Sequence, residues 1–339
     1  MKSTLRFHGT VPLGRLHRRT KNPSNFNPQT SNSKRAVKIA VQKVDTFSGH
    51  RDAVYTLVPG AKSHQIYSAG GDGLVIGWDL HKPDLGQLVA QVPASVYALA
   101  FDYERGQLWL GQNFEGIHVI NPVEKREIQS LKITASAIFD LLIHENTAFA
   151  ALGDGTVVVL DVAAFAVRRH LKASERPARC LALNPLTREL AVGYSDCTIK
   201  IFDLDALTLK SVIDAHTNSV FTLSYTPDGR RLLSGSRDAH LKAWDVVQDY
   251  APLADVVAHL FAINHLTFSP DARLMATASM DKSVKIWRAA DLQLLKVVDR
   301  ARHAGHGTSV NKLLWTDHQN QLISASDDRT LSVWAVDED

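Results

Sequence analysis

The sequence predicts an all-β protein built from seven similar units, and three observations support this prediction. A short hydrophobic segment that ends each unit recurs every 40 to 47 residues between Trp78 and Trp334. Apolar and polar residues alternate inside the units, as at 219–225 (SVFTLSY), which is the pattern of a half-buried strand. Turn signals such as the Pro-Asp-Gly at 227–229 separate these runs. Because a period of about 40–45 residues is typical of four-stranded blades, we expect a seven-bladed β-propeller.

The first segment, residues 1–36, differs from the rest of the 339-residue chain in charge. It carries eight basic and no acidic residues, whereas the remaining 30 basic and 35 acidic residues give the body a net charge of −5. Residues 20–35 are rich in Asn, Ser, Thr and Pro and poor in large apolar side chains, so we expect a disordered basic tail at 1–36. A transit peptide and a start site placed too far upstream are the alternatives.

The composition of the chain excludes several classes of protein. Hydrophobic residues make up 45% and charged residues 22%, which is enough to bury a sizeable core in a globular domain. No apolar run approaches the roughly 18 residues of a membrane helix, so we expect no membrane partner. Cys180 and Cys197 are the only two cysteines, which argues against a disulfide-stapled secreted domain and favours a reducing, cytoplasmic location.

One position near the end of each unit defines the repeat. Tryptophan occupies it in four units and another large apolar residue in three: Trp78, Ile120, Leu160, Phe202, Trp244, Trp287 and Trp334. Within a unit, three apolar runs separated by turns precede the next unit, as at 219–225, 231–236 and 241–246. No segment carries a sustained apolar stripe of period 3.6, so every regular element is expected to be a strand.

The first, fifth, sixth and seventh units share polar residues at fixed distances before the tryptophan. Histidine lies 28 residues before it, a hydroxyl residue 10 before it and aspartate 6 before it. The four sets are His50, Ser68, Asp72 and Trp78; His216, Ser234, Asp238 and Trp244; His259, Thr277, Asp281 and Trp287; and His306, Ser324, Asp328 and Trp334. A chain of contacts from indole through hydroxyl and imidazole to carboxylate would satisfy every buried polar atom.

This pattern resembles the WD-repeat β-propellers over residues 37–339. The resemblance implies that the histidine lies in the loop entering the inner strand and the aspartate in the turn between the second and third strands. It places the hydroxyl on the second strand and the indole on the third, as a structural network inside the blade. A Ser-His-Asp catalytic triad is needed once rather than four times at repeat spacing, so we interpret these sets as structural.

Units two to four depart from the pattern. The corresponding residues are Val92, Leu110, Phe114 and Ile120 in unit two; Thr134, Ala150, Asp154 and Leu160 in unit three; and Ser174, Val192, Asp196 and Phe202 in unit four. An all-apolar set in unit two would leave no buried donor or acceptor unpaired. We expect Asp154 and Asp196 to accept backbone N–H groups in tight turns.

The last unit lacks a strand. Its third strand is predicted to end at Ala335, and four residues are too few for a fourth strand. The segment 36–47 (AVKIAVQKVDTF) precedes the first histidine loop and belongs to no other unit. We therefore expect this N-terminal segment to complete the last blade and close a single, monomeric propeller over residues 37–339.

Motifs for catalysis, metals and nucleotides are absent from the sequence. It contains no G-x-S-x-G, H-E-x-x-H, C-x-x-C, G-x-G-x-x-G or G-K-[ST]. We therefore predict no enzymatic activity, no metal site and no cofactor, with Cys180 and Cys197 as core or turn residues. A propeller enzyme is the second alternative function, because this fold hosts varied functions.

One position of each predicted inner strand carries residues suited to recognition. Four are aromatic, one is arginine and two are asparagine: Tyr55, Tyr97, Phe139, Arg179, Phe221, Asn264 and Asn311. WD-repeat propellers commonly bind peptides at one end of the central channel, so the resemblance implies that this set surrounds a channel mouth. The alternative is that the rings pack between adjacent blades. Arg237, Met280 and Asp327, which precede turn aspartates, are expected at the same end.

These observations predict a non-catalytic scaffold that binds a peptide of a partner protein at the channel mouth. The first alternative is an RNA- or ribosome-associated assembly factor whose basic tail contacts phosphates, so nucleic acid is expected only through the tail. Arg168, Arg169, Lys172 and Arg176 could add to Arg179 and Arg237 as a basic sector, or form a solvated charge run. The long loop at 299–307 could cover part of the mouth.

Overall fold

Seven four-stranded antiparallel sheets contain the 28 strands found in residues 38–82 and 84–338, which are the residues that the structure, a computed structural model, describes. The predicted disordered tail at 1–36 lies outside these residues. Each sheet is formed by strands that follow one another in sequence, apart from the last sheet, which also takes in the first strand. The chain therefore forms the predicted seven-bladed propeller.

The strands follow the repeat. The first strand is β1 (Ile39–Ser48). Blade one contains β2 (Val54–Pro59), β3 (Gln65–Gly70), β4 (Leu74–Asp79) and β5 (Gln87–Gln91). Blade two contains β6 (Val96–Asp102), β7 (Gln107–Gln112), β8 (Gly116–Asn121) and β9 (Arg126–Lys132). Blade three contains β10 (Ile138–His144), β11 (Thr147–Leu152), β12 (Thr156–Asp161) and β13 (Ala166–Lys172).

The second half of the ring continues in the same way. Blade four contains β14 (Ala178–Asn184), β15 (Glu189–Tyr194), β16 (Thr198–Asp203) and β17 (Leu209–Asp214). Blade five contains β18 (Val220–Tyr225), β19 (Arg231–Ser236), β20 (His240–Asp245) and β21 (Ala251–Val257). Blade six contains β22 (Ile263–Phe268), β23 (Leu274–Ser279), β24 (Val284–Arg288) and β25 (Gln293–Val298). Blade seven contains β26 (Val310–Trp315), β27 (Gln321–Ser326), β28 (Thr330–Glu338) and β1.

The N-terminal strand closes the ring as predicted. β1 pairs antiparallel with β28, from Ile39 opposite Glu338 to Ser48 opposite Thr330. β28 continues to Glu338, beyond the predicted end at Ala335, because the N-terminal strand supplies hydrogen-bond partners along its whole length. Blade seven is thus completed by β1, which pairs with the edge of β28 that would otherwise be exposed.

The hydrophobic core lies between blades. Seven clusters of buried side chains each join two neighbouring blades, as where Phe149 of blade three packs with Leu190 of blade four. At the closure, Phe47 of β1 stacks on Trp78 of blade one with ring centroids 5.2 Å apart. Each blade is therefore held on both sides by its neighbours, which makes the ring a rigid frame for groups on the inner strands.

Two short helical turns lie in connections of blade seven. The first, α1 (Arg300–His303), begins after Asp299, whose side chain accepts a hydrogen bond from Arg302 N. Lys43 Nζ on β1 donates to Ala304 O at 2.9 Å, so this part of the 299–307 loop lies beside the outer strand of the blade rather than over the inner strands. The second is a 3-10 turn at His318–Asn320. Neither turn, nor any other helix in the described part of the chain, is long and apolar enough to cross a bilayer.

Candidate functional site

Each inner strand carries a β-bulge at the same position. The register of the first two strands of every blade shifts by one residue, and the residue left without a partner is Tyr55, Tyr97, Phe139, Arg179, Phe221, Asn264 or Asn311. A bulge leaves one residue unpaired and redirects its side chain. These are the seven residues that the sequence analysis selected from the alignment of the units.

The seven bulge residues line one cavity of about 320 Å³. One residue from every blade reaches this cavity, so it lies at the centre of the ring, and we call it the central cavity. All seven side chains are half-buried. They therefore pack against one another and also present surface to the cavity, so the two sequence-based interpretations of these rings are compatible.

The aromatic residues form one continuous face across blades one to five. Tyr55 and Tyr97 have ring centroids 4.7 Å apart, and Tyr97 and Phe139 5.8 Å apart. The Arg179 guanidinium then lies 4.1 Å from the Phe139 centroid and 5.6 Å from that of Phe221. Such cation–π contacts hold the guanidinium in a fixed orientation beside the rings.

Arg179 keeps hydrogen-bonding capacity for a ligand. Its Nε donates to Ser195 Oγ at 2.8 Å; within the described residues, its two terminal nitrogens donate to no protein group. Burial, and to a lesser degree the nearby charge of Arg237, lowers the pKa of Arg179. A guanidinium remains protonated at neutral pH even so. A carboxylate bound there would replace the hydrogen bonds to water that Arg179 loses on burial.

The two asparagines hold the ring together instead. Asn264 Nδ2 donates to Ser309 Oγ and to Val310 O at 3.0 and 2.9 Å, which joins blade six to blade seven. Asn311 Nδ2 donates to Val54 O at 3.0 Å and to Asp327 Oδ1 at 2.7 Å, which joins blade seven to blade one. The amide donors of this side of the cavity are therefore engaged by the protein.

Arg237 and Met280 lie outside the cavity lining. Met280 is 49% exposed and Arg237 is exposed, but neither side chain is among those lining the central cavity. Asp327 reaches the cavity only through its hydrogen bond to Asn311. Arg168 and Arg169 lie on β13, the outer strand of blade three, where they donate to Thr147 Oγ1 and Ala206 O. Arg168 and Arg169 therefore do not belong to a basic sector over the inner strands.

Sequence analysis missed three ionisable residues that line the cavity beside the bulge residues. Asp140, His265 and Lys312, each next to a bulge residue, also line the cavity. Asp140 accepts backbone hydrogen bonds from Leu141 N and Leu181 N at 3.0 and 2.9 Å. Burial raises the pKa of Asp140 and lowers the pKa of His265, and the charge of Lys312 opposes the first shift and adds to the second. The signal was available, since ionisable residues are rare at a buried strand position.

Cys180 lies in the cavity wall but is poorly suited to chemistry. Its side chain is buried on β14, and burial raises the pKa of the thiol. The thiol form is a weak nucleophile, in keeping with a packing role.

The selected polar residues of blade one form a chain of hydrogen bonds. Trp78 Nε1 donates to Ser68 Oγ at 2.8 Å, and this oxygen lies 2.8 Å from His50 Nε2. His50 Nδ1 lies 3.1 Å from Asp72 Oδ2. The corresponding atoms in blades five, six and seven lie 2.7 to 3.0 Å apart, through His216, Ser234, Asp238 and Trp244; His259, Thr277, Asp281 and Trp287; and His306, Ser324, Asp328 and Trp334.

The charges in the chain of blade six follow from burial and hydrogen bonding. Burial lowers the pKa of His259 and outweighs the effect of Asp281. Burial alone would raise the pKa of Asp281, but hydrogen bonds from His259, Ser283 and Leu260 N hold it well below its usual range. An ionised carboxylate therefore faces a neutral imidazole, and only the Nδ1–H tautomer satisfies every atom. Nothing in this arrangement leaves the Thr277 hydroxyl free to attack a substrate.

Blade four replaces the histidine with a lysine. Asp196 accepts hydrogen bonds from Ser174 Oγ and Thr198 Oγ1, both at 2.6 Å, and from Lys200 Nζ at 2.8 Å. Burial would raise the pKa of Asp196, but these bonds lower it to about 2. Asp196 therefore does more than accept backbone N–H groups, and the sequence analysis missed the buried Lys200, which lies 4.5 Å from the Tyr194 ring centroid.

Blade two differs from the expected apolar replacement. Phe114 is 63% exposed at a positive φ of 66°, so it lies in a turn and not in a buried network position. The large buried side chain is Trp109 on β7, whose ring meets Phe165 edge-on. Within the described residues, Trp109 Nε1 has no hydrogen-bond partner. This unpaired donor lies on the blade face opposite Ile120, outside the four network positions, whose residues Val92, Leu110, Phe114 and Ile120 carry no side-chain donor or acceptor.

A family model matches the four blades that keep the polar chains and also blade four. The model described as WD domain, G-beta repeat matches residues 41–79, 166–203, 207–245, 251–288 and 299–335. These segments amount to more than half of the chain. The chain belongs to the WD-repeat family. Members of this family typically act as non-catalytic interaction scaffolds. Blades two and three, in which the sequence departs most from the pattern, fall between the first two matches.

Similar proteins resemble this WD-repeat chain over limited regions. It is 25% identical over 245 residues to Striatin-3 of Mus musculus, an alignment covering 64% of this chain and 30% of that protein. It is 32% identical over 94 residues to Nuclear distribution protein nudF 1 of Talaromyces marneffei, covering 27% of this chain and 20% of the relative. The chain thus aligns with only a minor part of each relative's length.

A solved structure shares the fold. The crystal structure of the WD40 beta propeller domain of Doa1 superposes with a TM-score of 0.77 at 18% sequence identity. The match covers 87% of this chain and 96% of that one. At this identity the likeness establishes the WD-repeat propeller architecture alone.

Proposed function

We propose that this protein is a non-catalytic scaffold that binds an extended peptide of a partner protein at the central cavity. One observation carries the proposal: a half-exposed face of Tyr55, Tyr97, Phe139, Arg179 and Phe221 runs without interruption across five blades. Aromatic residues and arginine are the side chains that most often dominate binding energy at protein interfaces.

The chemistry of this face suits an apolar anchor beside an acidic group. The rings supply apolar contact area, and the terminal nitrogens of Arg179 match the geometry of a carboxylate. A volume of about 320 Å³ is at the lower end for a small-molecule pocket and accommodates one or two side chains of a peptide. The inner strands are held by both neighbouring blades, so the surface is ordered before a partner arrives.

The proposal is tested by selecting peptides from a random display library on the intact protein. Enriched sequences should combine an aromatic or large aliphatic residue with a nearby Asp or Glu. Phe221→Ala and Arg179→Ala should each weaken binding of a selected peptide about 30-fold, since truncating an interface anchor costs about 2 kcal/mol. Circular dichroism should show that both variants stay folded.

Two matched variants serve as controls. Tyr103→Ala removes a ring that is 63% exposed in a turn of blade two, and Arg168→Ala removes a guanidinium on the outer strand of blade three. Both should bind like the unaltered protein. Lys210 would be a poor control because its Nζ pairs with the buried carboxylate of Glu189. Equal peptide affinity for all four variants would place the binding surface elsewhere.

Other aspects of the function stay predictions. These are the monomeric state, the cytoplasmic location and any contact of residues 1–36 with RNA phosphates. A salt-sensitive association with RNA that disappears when residues 1–36 are deleted would support the tail-based alternative.

A further inference from the structure

Three imidazoles and a carboxylate meet at the junction of blades one and seven. His64 precedes β3, Asp79 ends β4, His81 follows it, and His318 lies in the 3-10 turn between β26 and β27. These connections lie at the opposite end of the strands from the bulge residues that line the central cavity. The group is therefore distinct from the proposed peptide site.

Three of these four residues have donor atoms close enough to share one ion, and the fourth, His318, lies beside them with its ring centroid 6.3 Å from that of His64. The metal-binding atoms of His64, Asp79 and His81 all lie within 4.8 Å of one another. The His81 ring centroid lies 4.3 Å from that of His64 and 4.7 Å from that of His318. A tetrahedral zinc ion with ligands at about 2.0–2.1 Å holds its donor atoms roughly 3.4 Å apart, so small side-chain rotations would complete the site.

Hydrogen bonds fix the backbone on which these side chains stand. Thr316 Oγ1 donates to Ser63 O at 2.7 Å and accepts from His318 N at 3.1 Å, which sets the blade-seven turn beside the His64 loop. Leu80 N donates to His64 O at 2.8 Å, which ties that loop to the end of β4. The four ligating groups thus come from loops whose relative position is already set.

The imidazoles are also free to bind. Among the described residues, the rings of His64 and His318 make no hydrogen bond to the protein, and Asp79 Oδ1 lies 3.4 Å from His81 Nδ1. Neutral imidazole and carboxylate are favourable ligands for zinc. The filled d shell of zinc imposes no rigid geometry, so the ligands can settle into a tetrahedral arrangement. The solvent-exposed His81, at 54% exposure, leaves an entry path for the ion.

We propose that His64, Asp79, His81 and His318 bind one zinc ion that clamps blade one to blade seven. Four protein ligands fill a tetrahedral site, so the ion is structural and not catalytic. No sequence motif indicates a metal here because His318 lies far along the chain from the other three ligands, and His64, Asp79 and His81 match no standard short zinc spacing. The ion would reinforce the junction next to the blade that contains both the first and last strands.

Isothermal titration of ZnCl₂ into the chelator-treated full-length protein tests this proposal. We expect saturable binding of one ion and, at about 100-fold excess over the dissociation constant, a rise in melting temperature of roughly 4 °C. His64→Ala and His318→Ala should each weaken binding about tenfold or more, because each removes a ligand from a different blade. Cobalt(II) should give the intense visible absorption of a tetrahedral site in the unaltered protein only.

The control is His240→Ala, which removes a half-buried histidine paired with Asp255 in blade five. This variant should bind zinc like the unaltered protein. The proposal is overturned if zinc shows no saturable binding, or if the His64 and His318 variants bind it as tightly as the unaltered protein. Equal loss of binding in His240→Ala would likewise overturn it, since that result indicates dispersed surface binding.

Discussion

Replacing Asp238 with alanine should lower the free energy of unfolding by about 3 kcal/mol. The carboxylate accepts hydrogen bonds from His216 Nδ1 at 3.0 Å, Thr217 N at 2.9 Å and His240 N at 3.0 Å. The His216 side chain is 0% exposed, so its Nδ1–H would be left without water or partner, at a cost of about 1–3 kcal/mol. Thr217 N lies in the exposed loop before β18 and His240 N at the start of β20, where water has access, and the loss of these two bonds adds about 1 kcal/mol.

Urea denaturation followed by fluorescence and circular dichroism measures this change. Asp238→Asn keeps an acceptor for His216 and should therefore fall between alanine and the unaltered protein. Asp214→Ala, an exposed aspartate at the end of β17, should change the unfolding free energy by less than about 0.5 kcal/mol. The reasoning is refuted if Asp238→Ala is no more destabilising than Asp214→Ala.

Two further predictions concern the closure and the pH dependence of stability. Deleting residues 1–36 should leave the melting temperature nearly unchanged. Deleting residues 1–47 removes most of β1 and exposes β28, so it should give an aggregating product in size-exclusion chromatography. Equal behaviour of the two truncations would show that β1 does not close the ring. Because burial lowers the folded-state pKa of His50, His216 and His259, their contribution to stability is complete above the unfolded value of about 6.5 and is lost as pH falls below it. Urea midpoints should therefore decrease between pH 7.5 and about 5.5, and a flat profile would show that these imidazoles titrate alike in both states.

The fold followed from the sequence because spacing carries topological information. A recurrent tryptophan position gave the number of blades, and the shortage of residues after Ala335 identified the segment that became β1. The same alignment selected the bulge residues, from Tyr55 to Asn311, that meet at the central cavity. In each case, one repeat constrains the others, so a position recognised in blade five is also located in blade two.

Features that the repeat does not constrain escaped prediction. In blade four, Lys200 on β16 binds the turn aspartate that a loop histidine binds in other blades, and in blade two Trp109 on β7 buries a large side chain on the face toward blade three. Asp140 and His265 line the cavity at a position that carries an uncharged residue such as Thr56 or Ala98 in other blades. The alignment of the units therefore gave this position no common signature. Side chains that meet across a junction, such as His64 and His318, are related by the closure of the ring and not by spacing along the chain.

The pairing of β1 with β28 also bears on how the ring assembles during synthesis. β1 is synthesised long before β28 and cannot pair until β28 leaves the ribosome, since Ile39 pairs with Glu338. Closing a loop of about 300 residues costs about 5 kcal/mol of chain entropy, which the nascent chain recovers only when both strands are available. Until then blade seven is incomplete, and Ile39 of β1, which packs against residues of blades six and seven, remains unburied. Because β1 and β28 are distant in sequence, we expect the ring to close slowly. We also expect β1 to need protection from aggregation until synthesis of the chain is complete.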